Sequence, residues 1–266
     1  MIDPFTPDLY GDTPVSTSIK ILRIFEPTEG YDAAFSGGLD SQTFYELVKM
    51  AGVKLKSPPT YNITNADPPE LIYFVRRYYP EVVFRHPPET LWQMIERKGF
   101  LPTANKRYCC ELLKERFGSG VILLGLRSEE SASRAARGVV QICRKDSAKT
   151  YVLPIKHWTR AQQWVFFKAN NIPYCSLYDE GFNRLGCIMC PKAGHENRMR
   201  EMARWPKLAN AWKRAAGRGY EKSRAAGRAK AELFNDFESY WQWWISAESR
   251  SGLPAEEGCT LFDGTE

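Results

Sequence analysis

The chain has 266 residues, of which 43% are hydrophobic and 26% charged, with 19 glycines and 17 prolines. These proportions exclude a globally disordered or low-complexity polypeptide, and the length suits one large domain or a domain with an appendage. The net charge of +6 is concentrated: residues 192–230 carry 12 Lys/Arg against three acids, and the remainder is slightly acidic.

Nothing approaches the ~18 consecutive apolar residues of a membrane span. The N-terminus, opening Met1-Ile2-Asp3-Pro4-Phe5, lacks a basic region followed by an apolar core, so no secretory signal is read. A cytoplasmic protein with no membrane partner is expected. Seven cysteines, an odd number, do not read as a disulfide framework. In a reducing compartment they point to metal ligands or reactive thiols.

In chain order, Ser18–Phe25 reads as a short helix or strand and Tyr31–Phe35 as a buried strand. Phe44, Leu47, Val48 and Ala51 recur at i, i+3, i+4 and i+7, the apolar stripe of a helix that Gly52 ends. Strands follow at Tyr61–Thr64 and Val82–Phe84, with a helix over 70–79 opened by Pro68-Pro69 and stopped by Pro80. Helices are expected at Thr90–Lys98, Arg107–Phe117 and Thr159–Asn170, the last capped by Thr159. Val121–Gly125 and Tyr151–Ile155 read as buried strands. Strands alternating with helices imply a mainly parallel sheet. After Pro191 the pattern is helical: Trp205, Leu208 and Trp212 share a face. A longer stripe runs through Leu233, Phe234, Phe237, Tyr240, Trp241, Trp244 and Ile245 and reads as an aromatic core. Residues 246–266 are polar and expected to be loose. The segments divide as 1–29, an N-terminal extension; 30–191, an α/β domain; and 192–266, a basic, aromatic-rich helical extension.

Two constellations carry chemistry. Ser36-Gly37-Gly38-Leu39-Asp40-Ser41 lies between a strand and an amphipathic helix, where two glycines let backbone N–H groups approach an anion. The helix points its positive end at the same place. Asp40 could hold Mg²⁺ or cap the helix, and no Walker A pattern is present. The second is a cysteine quartet: Cys109-Cys110, then Cys187-Ile188-Met189-Cys190-Pro191. Four thiolates in two local clusters can close around Zn²⁺ or a [4Fe–4S] cluster, although an adjacent pair is unusual for zinc.

The hexapeptide resembles the SGGxDS pyrophosphate loop of the ATP-pyrophosphatase (PP-loop) superfamily. Further segments resemble the phosphoadenosine phosphosulfate (PAPS) reductase family over residues 30–192. They are Arg107–Cys110 with Lys114, Gly125-Leu126-Arg127 with Glu130, Ser131 and Arg134, Pro154-Ile155 with Trp158-Thr159, and Asn171–Cys187. The resemblance implies an adenine nucleotide alpha hydrolase-like fold: α/β, doubly wound, with a mainly parallel five-stranded sheet and here a C-terminal helical extension. It implies ATP or another adenine nucleotide with Mg²⁺, bound by Ser36, Gly37, Gly38, Leu39, Asp40, Ser41, Thr64, Gly125 and Arg127 at the carboxyl ends of the strands. Arg127 and Arg134 would take the sulfate or phosphate end of the substrate and, with Asp40, form the catalytic set. Iron–sulfur adenylyl-sulfate reductases and sulfur-transfer proteins of DNA phosphorothioation carry a similar cysteine arrangement, which implies a [4Fe–4S] cluster at Cys109, Cys110, Cys187 and Cys190, with zinc as the alternative.

One departure from the family bears on function. Reductases that make sulfite carry a nucleophilic cysteine in a C-terminal ECGxH motif, whereas this chain reads Glu257-Gly258-Cys259 with no histidine after it. Three functions follow. The first is an ATP-using sulfur-transfer enzyme, with nucleic acid docking on 192–230 as a possible acceptor and a sulfur-donor or electron-donor protein as partner. The second is an adenylyl-sulfate or PAPS reductase in which Cys259 attacks sulfur. The third is a nucleotide-binding subunit of a nucleic-acid complex.

Overall fold

The computed structural model describes residues 3–115, 118–143, 146–246 and 248. Cys259 and nearly all of the tail expected to be loose lie outside them. In chain order the main elements are α1 (Pro14–Ile24), β1 (Asp32–Ala33), α2 (Leu39–Ala51), β2 (Thr60–Asn62), α3 (Pro69–Tyr78), β3 (Val83–Arg85) and α4 (Leu91–Lys98). There follow β4 (Gly120–Leu123), β5 (Val140–Ile142), β6 (Lys149–Val152), α5 (Arg160–Ala169), α6 (His195–Arg204), α7 (Pro206–Ala225) and α8 (Phe237–Ile245).

These elements form two compact units that cut across the expected segments. The first comprises Met1–Asn62, Pro68–His86 and Phe117–Gly186, and the second Ile63–Asp67, Pro87–Arg116 and Cys187–Glu266. Residues 1–29 therefore belong to the α/β unit, and the cysteine segments belong with the C-terminal helices.

In the first unit, β1 pairs in parallel with β4, β4 in parallel with β6, and β2 in parallel with β3. A parallel bridge from Ala34 to Thr60 joins β1 to β2, and the Phe35 N–H donates to the Thr60 carbonyl at 3.0 Å. The order is β3-β2-β1-β4-β6-β5: five parallel strands, with β5 antiparallel at the edge. This is an α/β fold with a mainly parallel sheet. β1 reads Asp32-Ala33, so one charged residue interrupts its apolar run. Asp32 is tolerated there because its carboxylate accepts the Ser119 N–H at 2.8 Å. Helix ends follow their residues: Thr13, Thr90 and Thr159 each accept a backbone N–H in a capping box, and Gly52 closes α2 in the left-handed conformation.

The second unit is helical. α4 packs along α7, and α6 and α8 both pack on α7. Its centre is aromatic: Trp212 and Trp244 pack with ring centroids 5.1 Å apart and planes tilted by 33°, and they are 1% and 0% exposed. Their indole N–H groups donate to the carbonyls of Ile188 and Pro102, which satisfies the polar edge of each buried ring. The helix expected over Arg107–Phe117 is instead a short α-turn, Tyr108–Cys110, that widens into a π-turn over Glu111–Glu115.

Candidate nucleotide loop and cysteine cleft

The phosphate-loop candidate sits in the first unit, where β1 hands the chain to α2. Gly37 has φ +71°, and a Cβ there would come within 2.6 Å of the Val75 side chain; only glycine serves this turn. Gly38 starts α2 with no side-chain cap, so the first amides of the helix are offered to whatever lies in front of them. One is taken: the Leu39 N–H donates to the Tyr178 hydroxyl at 3.0 Å. Burial pushes the Tyr178 phenol up to about 12, so it stays neutral and keeps a proton to donate. The serines order the loop itself. Ser36 Oγ donates to Ser41 Oγ at 3.2 Å, and Ser41 Oγ donates to the Gly38 carbonyl at 2.9 Å.

Asp40 is held from two sides. Its Oδ1 accepts Arg127 Nε at 2.6 Å and Gln163 Nε2 at 3.0 Å. Arg127 is only 2% exposed and also donates to Glu129. Its guanidinium thus ties two carboxylates together. Gly125 allows this approach, because a Cβ there would lie 2.8 Å from the Asp40 backbone carbonyl. Arg134 pairs with Glu130. Burial, and then the neighbouring charge of Arg184, pushes its guanidinium below the ordinary arginine value. Ser36–Ser41, Gly125 and Arg127 therefore meet at one place, with Tyr178, Gln163 and Arg184 as neighbours that sequence reasoning had not assigned. Tyr178 lay inside a quoted motif, but no residue pattern revealed that its hydroxyl meets an amide 139 positions away.

The cysteine cleft lies wholly in the second unit. Cys109, Cys110, Cys187 and Cys190 line one open cleft with Thr64, Lys114 and the apolar walls of Leu91, Leu113, Pro191 and Trp212. Thr64 is here, its Oγ1 3.3 Å from Cys187 Sγ. The hydrogen bond with Cys110, and then burial, pushes the Cys109 thiol up. Burial also pushes Cys187 up, against the opposing charge of Lys114. The charge of Cys187 in turn holds the Lys114 ammonium above its ordinary value.

Between Cys187 and Cys190 the chain makes a tight turn in which Met189 has φ +56°. That conformation costs a non-glycine residue roughly 1–2 kcal/mol. The turn is held throughout: the Ile188 N–H donates to the Ala66 carbonyl at 2.7 Å, the Ile188 carbonyl accepts Trp212 Nε1 at 3.1 Å, and the Met189 N–H donates to the Glu201 carboxylate.

Among the described residues no group of three or more His, Cys, Asp or Glu is arranged to hold a metal ion. The donor set still suits an iron–sulfur cluster. A [4Fe–4S] cluster takes one thiolate on each iron, so its four sulfurs need to surround a cavity rather than converge on one point. The apolar walls and one cation match the low polarity and net negative charge of such a group.

In the basic segment, Trp205, Trp212 and Tyr220 are buried and unavailable to stack on bases. Arg198 is fully buried and donates to the carbonyls of Trp244 and Pro191. Lys213 pairs with Glu238 and Arg218 with Glu96. Lys207, Arg214 and Lys222 are exposed along α7. No helix among the described residues is long and apolar enough to cross a membrane.

Comparison with known proteins bears on this geometry. A Methanocaldococcus jannaschii protein described only as uncharacterized is 29% identical over 52% of this chain, which spans about a third (31%) of that relative's length. A Staphylococcus saprophyticus protein named adenosine 5'-phosphosulfate reductase is 30% identical over 76% of this chain and 90% of its own. The crystal structure of a PAPS reductase from Candida auris, a phosphate complex, is similar over 64% of this chain and 88% of that one, at 19% identity and a TM-score of 0.47. The phosphoadenosine phosphosulfate reductase domain model matches residues 31–193, and the chain belongs to that family.

Proposed function

We propose that this chain is an adenine-nucleotide-dependent enzyme of sulfur metabolism that takes ATP at Ser36–Ser41 and activates a substrate for sulfur transfer. The observation that carries the reading is the loop itself: an uncapped helix start behind Gly37-Gly38, with Leu39 N–H and the neutral Tyr178 hydroxyl facing it. With the Leu39 N–H taken by Tyr178, phosphate oxygens accept from the Tyr178 hydroxyl and from the other first-turn amides of α2, which have no intrahelical acceptor. In the reaction, a nucleophile on the substrate attacks the α-phosphorus, the bond between the α and β phosphates breaks, and pyrophosphate leaves with the electron pair. Asp40, fixed by Arg127 and Gln163, would hold the Mg²⁺ that accompanies ATP. Arg134, beside Arg184, offers positive charge to an anionic group of the substrate.

Cys109, Cys110, Cys187 and Cys190 would hold a [4Fe–4S] cluster. When bound, that cluster supplies a place to hold or pass sulfur. Thr64 and Lys114 steady Cys187 through the contacts described above. Nucleic acid is the proposed acceptor class, met by the exposed Lys207, Arg214 and Lys222 of α7; a sulfur-donor or electron-donor protein completes the reaction.

A second reading is favoured by a specific observation, the relative named adenosine 5'-phosphosulfate reductase that aligns over 76% of this chain. In it the Cys259 thiolate attacks the sulfur of adenylyl sulfate and AMP leaves with the electron pair of the broken S–O bond; a dithiol reductant protein, oxidised to its disulfide, then releases sulfite from the cysteine S-sulfonate. An anaerobic product assay separates the two. Pyrophosphate from ATP, with no sulfite from adenylyl sulfate or PAPS, is the expected result. Sulfite release that Cys259→Ser abolishes would replace the first reading with the second.

A further inference from the structure

The turn between Cys187 and Cys190 is held in a conformation its own residues do not favour, and the group that holds it comes from α6. Met189 is fully buried with φ +56°. Neither of the residue types that adopt this conformation readily, glycine and asparagine, is present at that position. Its N–H donates to the Glu201 carboxylate. One turn earlier on the same helix, Arg198 donates to the Pro191 carbonyl at 2.6 Å. Residues three apart on a helix share a face, so α6 grips the turn on both sides of Cys190. Glu201 is half-buried, and burial pushes its carboxyl up against the Met189 hydrogen bond and the opposing charges of Arg198 and Arg200.

We propose that Glu201 is a positioning residue for the cysteine cleft: by accepting the Met189 amide it fixes the left-handed turn and sets the separation and direction of Cys187 and Cys190 before anything binds them. The inference rests on the reading of the four cysteines as ligands, but its mechanism is a property of the metal-free chain. Removing the acceptor lets Met189 relax toward right-handed or extended backbone. The two thiols then lose their fixed relation, while Cys109 and Cys110, on a different segment, keep theirs. A glutamine retains an oxygen that accepts the same N–H, so it should replace glutamate. A glycine at position 189 adopts φ > 0 without help, so it should remove the dependence on Glu201.

The test uses the full chain in two arms. In metal-free protein, alkylation of Cys187 and Cys190 is followed by peptide mass spectrometry. Glu201→Ala should speed it about tenfold, as expected when a locally closed segment opens. Glu201→Gln should react like wild type, and Cys109 and Cys110 should be unchanged. In the second arm the protein is reconstituted anaerobically with ferrous iron and sulfide. Wild type and Glu201→Gln should take up about four irons per chain, and Glu201→Ala less than half as much. In the Met189→Gly background, Glu201→Ala should change neither readout. Equal alkylation rates in wild type and Glu201→Ala would overturn the inference. So would acceleration at all four cysteines, which marks general destabilisation, or a Glu201→Gln variant as reactive as Glu201→Ala. Wild type that takes up no iron but retains the Glu201-dependent protection would overturn the cluster reading and leave the positioning role standing.

Discussion

At the scale of single residues, Arg127 shows how charge and backbone are fitted together. Its Nε reaches Asp40 and another nitrogen reaches Glu129, while 2% of its surface meets solvent. A buried cation bonded to two carboxylates is costly to remove, because the remaining charges lose their partner. The carboxylates left behind are partly solvated, so Arg127→Ala should lower the unfolding free energy by about 1–3 kcal/mol. Arg127→Lys should recover only part of it, since an ammonium is a point charge that cannot span both carboxylates. Urea unfolding followed by fluorescence measures both variants. An alanine variant as stable as wild type would show that the pair contributes little. The residue types at this site were legible from the sequence, the glycines most of all, because a β-strand, two glycines and an amphipathic helix leave few alternatives. The reach of Arg127 across to Asp40 was not, since it depends on the sheet bringing the end of β4 beside the start of α2.

At the scale of elements, periodicity located most helices and strands, and it failed where tertiary contacts override pattern. The aromatic stripe beginning at Leu233 suggested one long helix, but α8 starts only at Phe237, because Asp236 caps it there by accepting the Ser239 N–H at 2.8 Å. The edge strand β5 escaped detection because Val140–Ile142 is short and its Ile142 side chain is 68% exposed, so no buried alternation marks it. The Tyr108–Glu115 segment reads as an ordinary helix in sequence, and no residue pattern marks the π-turn over Glu111–Glu115. The aromatic core was legible: Tyr240, Trp241, Trp244 and Ile245 are all buried. Trp244→Ala removes a fully buried indole and its bond to Pro102, and should cost about 3–5 kcal/mol, read as a lowered denaturation midpoint. On α7, Lys213 and Arg218 are engaged in ion pairs, so Arg214 and Lys222 are the residues that test nucleic-acid docking. Reversing both to Glu should weaken binding to single-stranded DNA or RNA and reduce the slope of log K against log salt by about one unit per lost phosphate contact. A slope unchanged by the two reversals would remove this face of α7 from the interaction.

At the scale of the whole molecule, the two candidate sites lie in separate compact units, the proposed nucleotide loop on a parallel sheet and the cysteine cleft among helices. The sequence presents them as interleaved segments, with Ile63–Asp67 and Pro87–Arg116 inserted between pieces of the α/β unit. Local patterns carry no signal of such an exchange, because it is decided by long-range packing, and the expected boundary after residue 191 missed it for that reason. Sulfur transfer and sulfonucleotide reduction both require the nucleotide to sit at Ser36–Ser41. Calorimetric titration of wild type and Gly38→Val with ATP and Mg²⁺ measures this most directly. A Cβ at Gly38 meets nothing closer than the Tyr178 hydroxyl at 3.5 Å, so the fold should tolerate the side chain while its bulk occupies the space where phosphate approaches backbone. The account predicts saturable one-to-one binding by wild type and at least about a tenfold weaker affinity in the variant, a difference of about 1.4 kcal/mol, with the unfolding midpoint little changed. Equal affinity in the two proteins would contradict it.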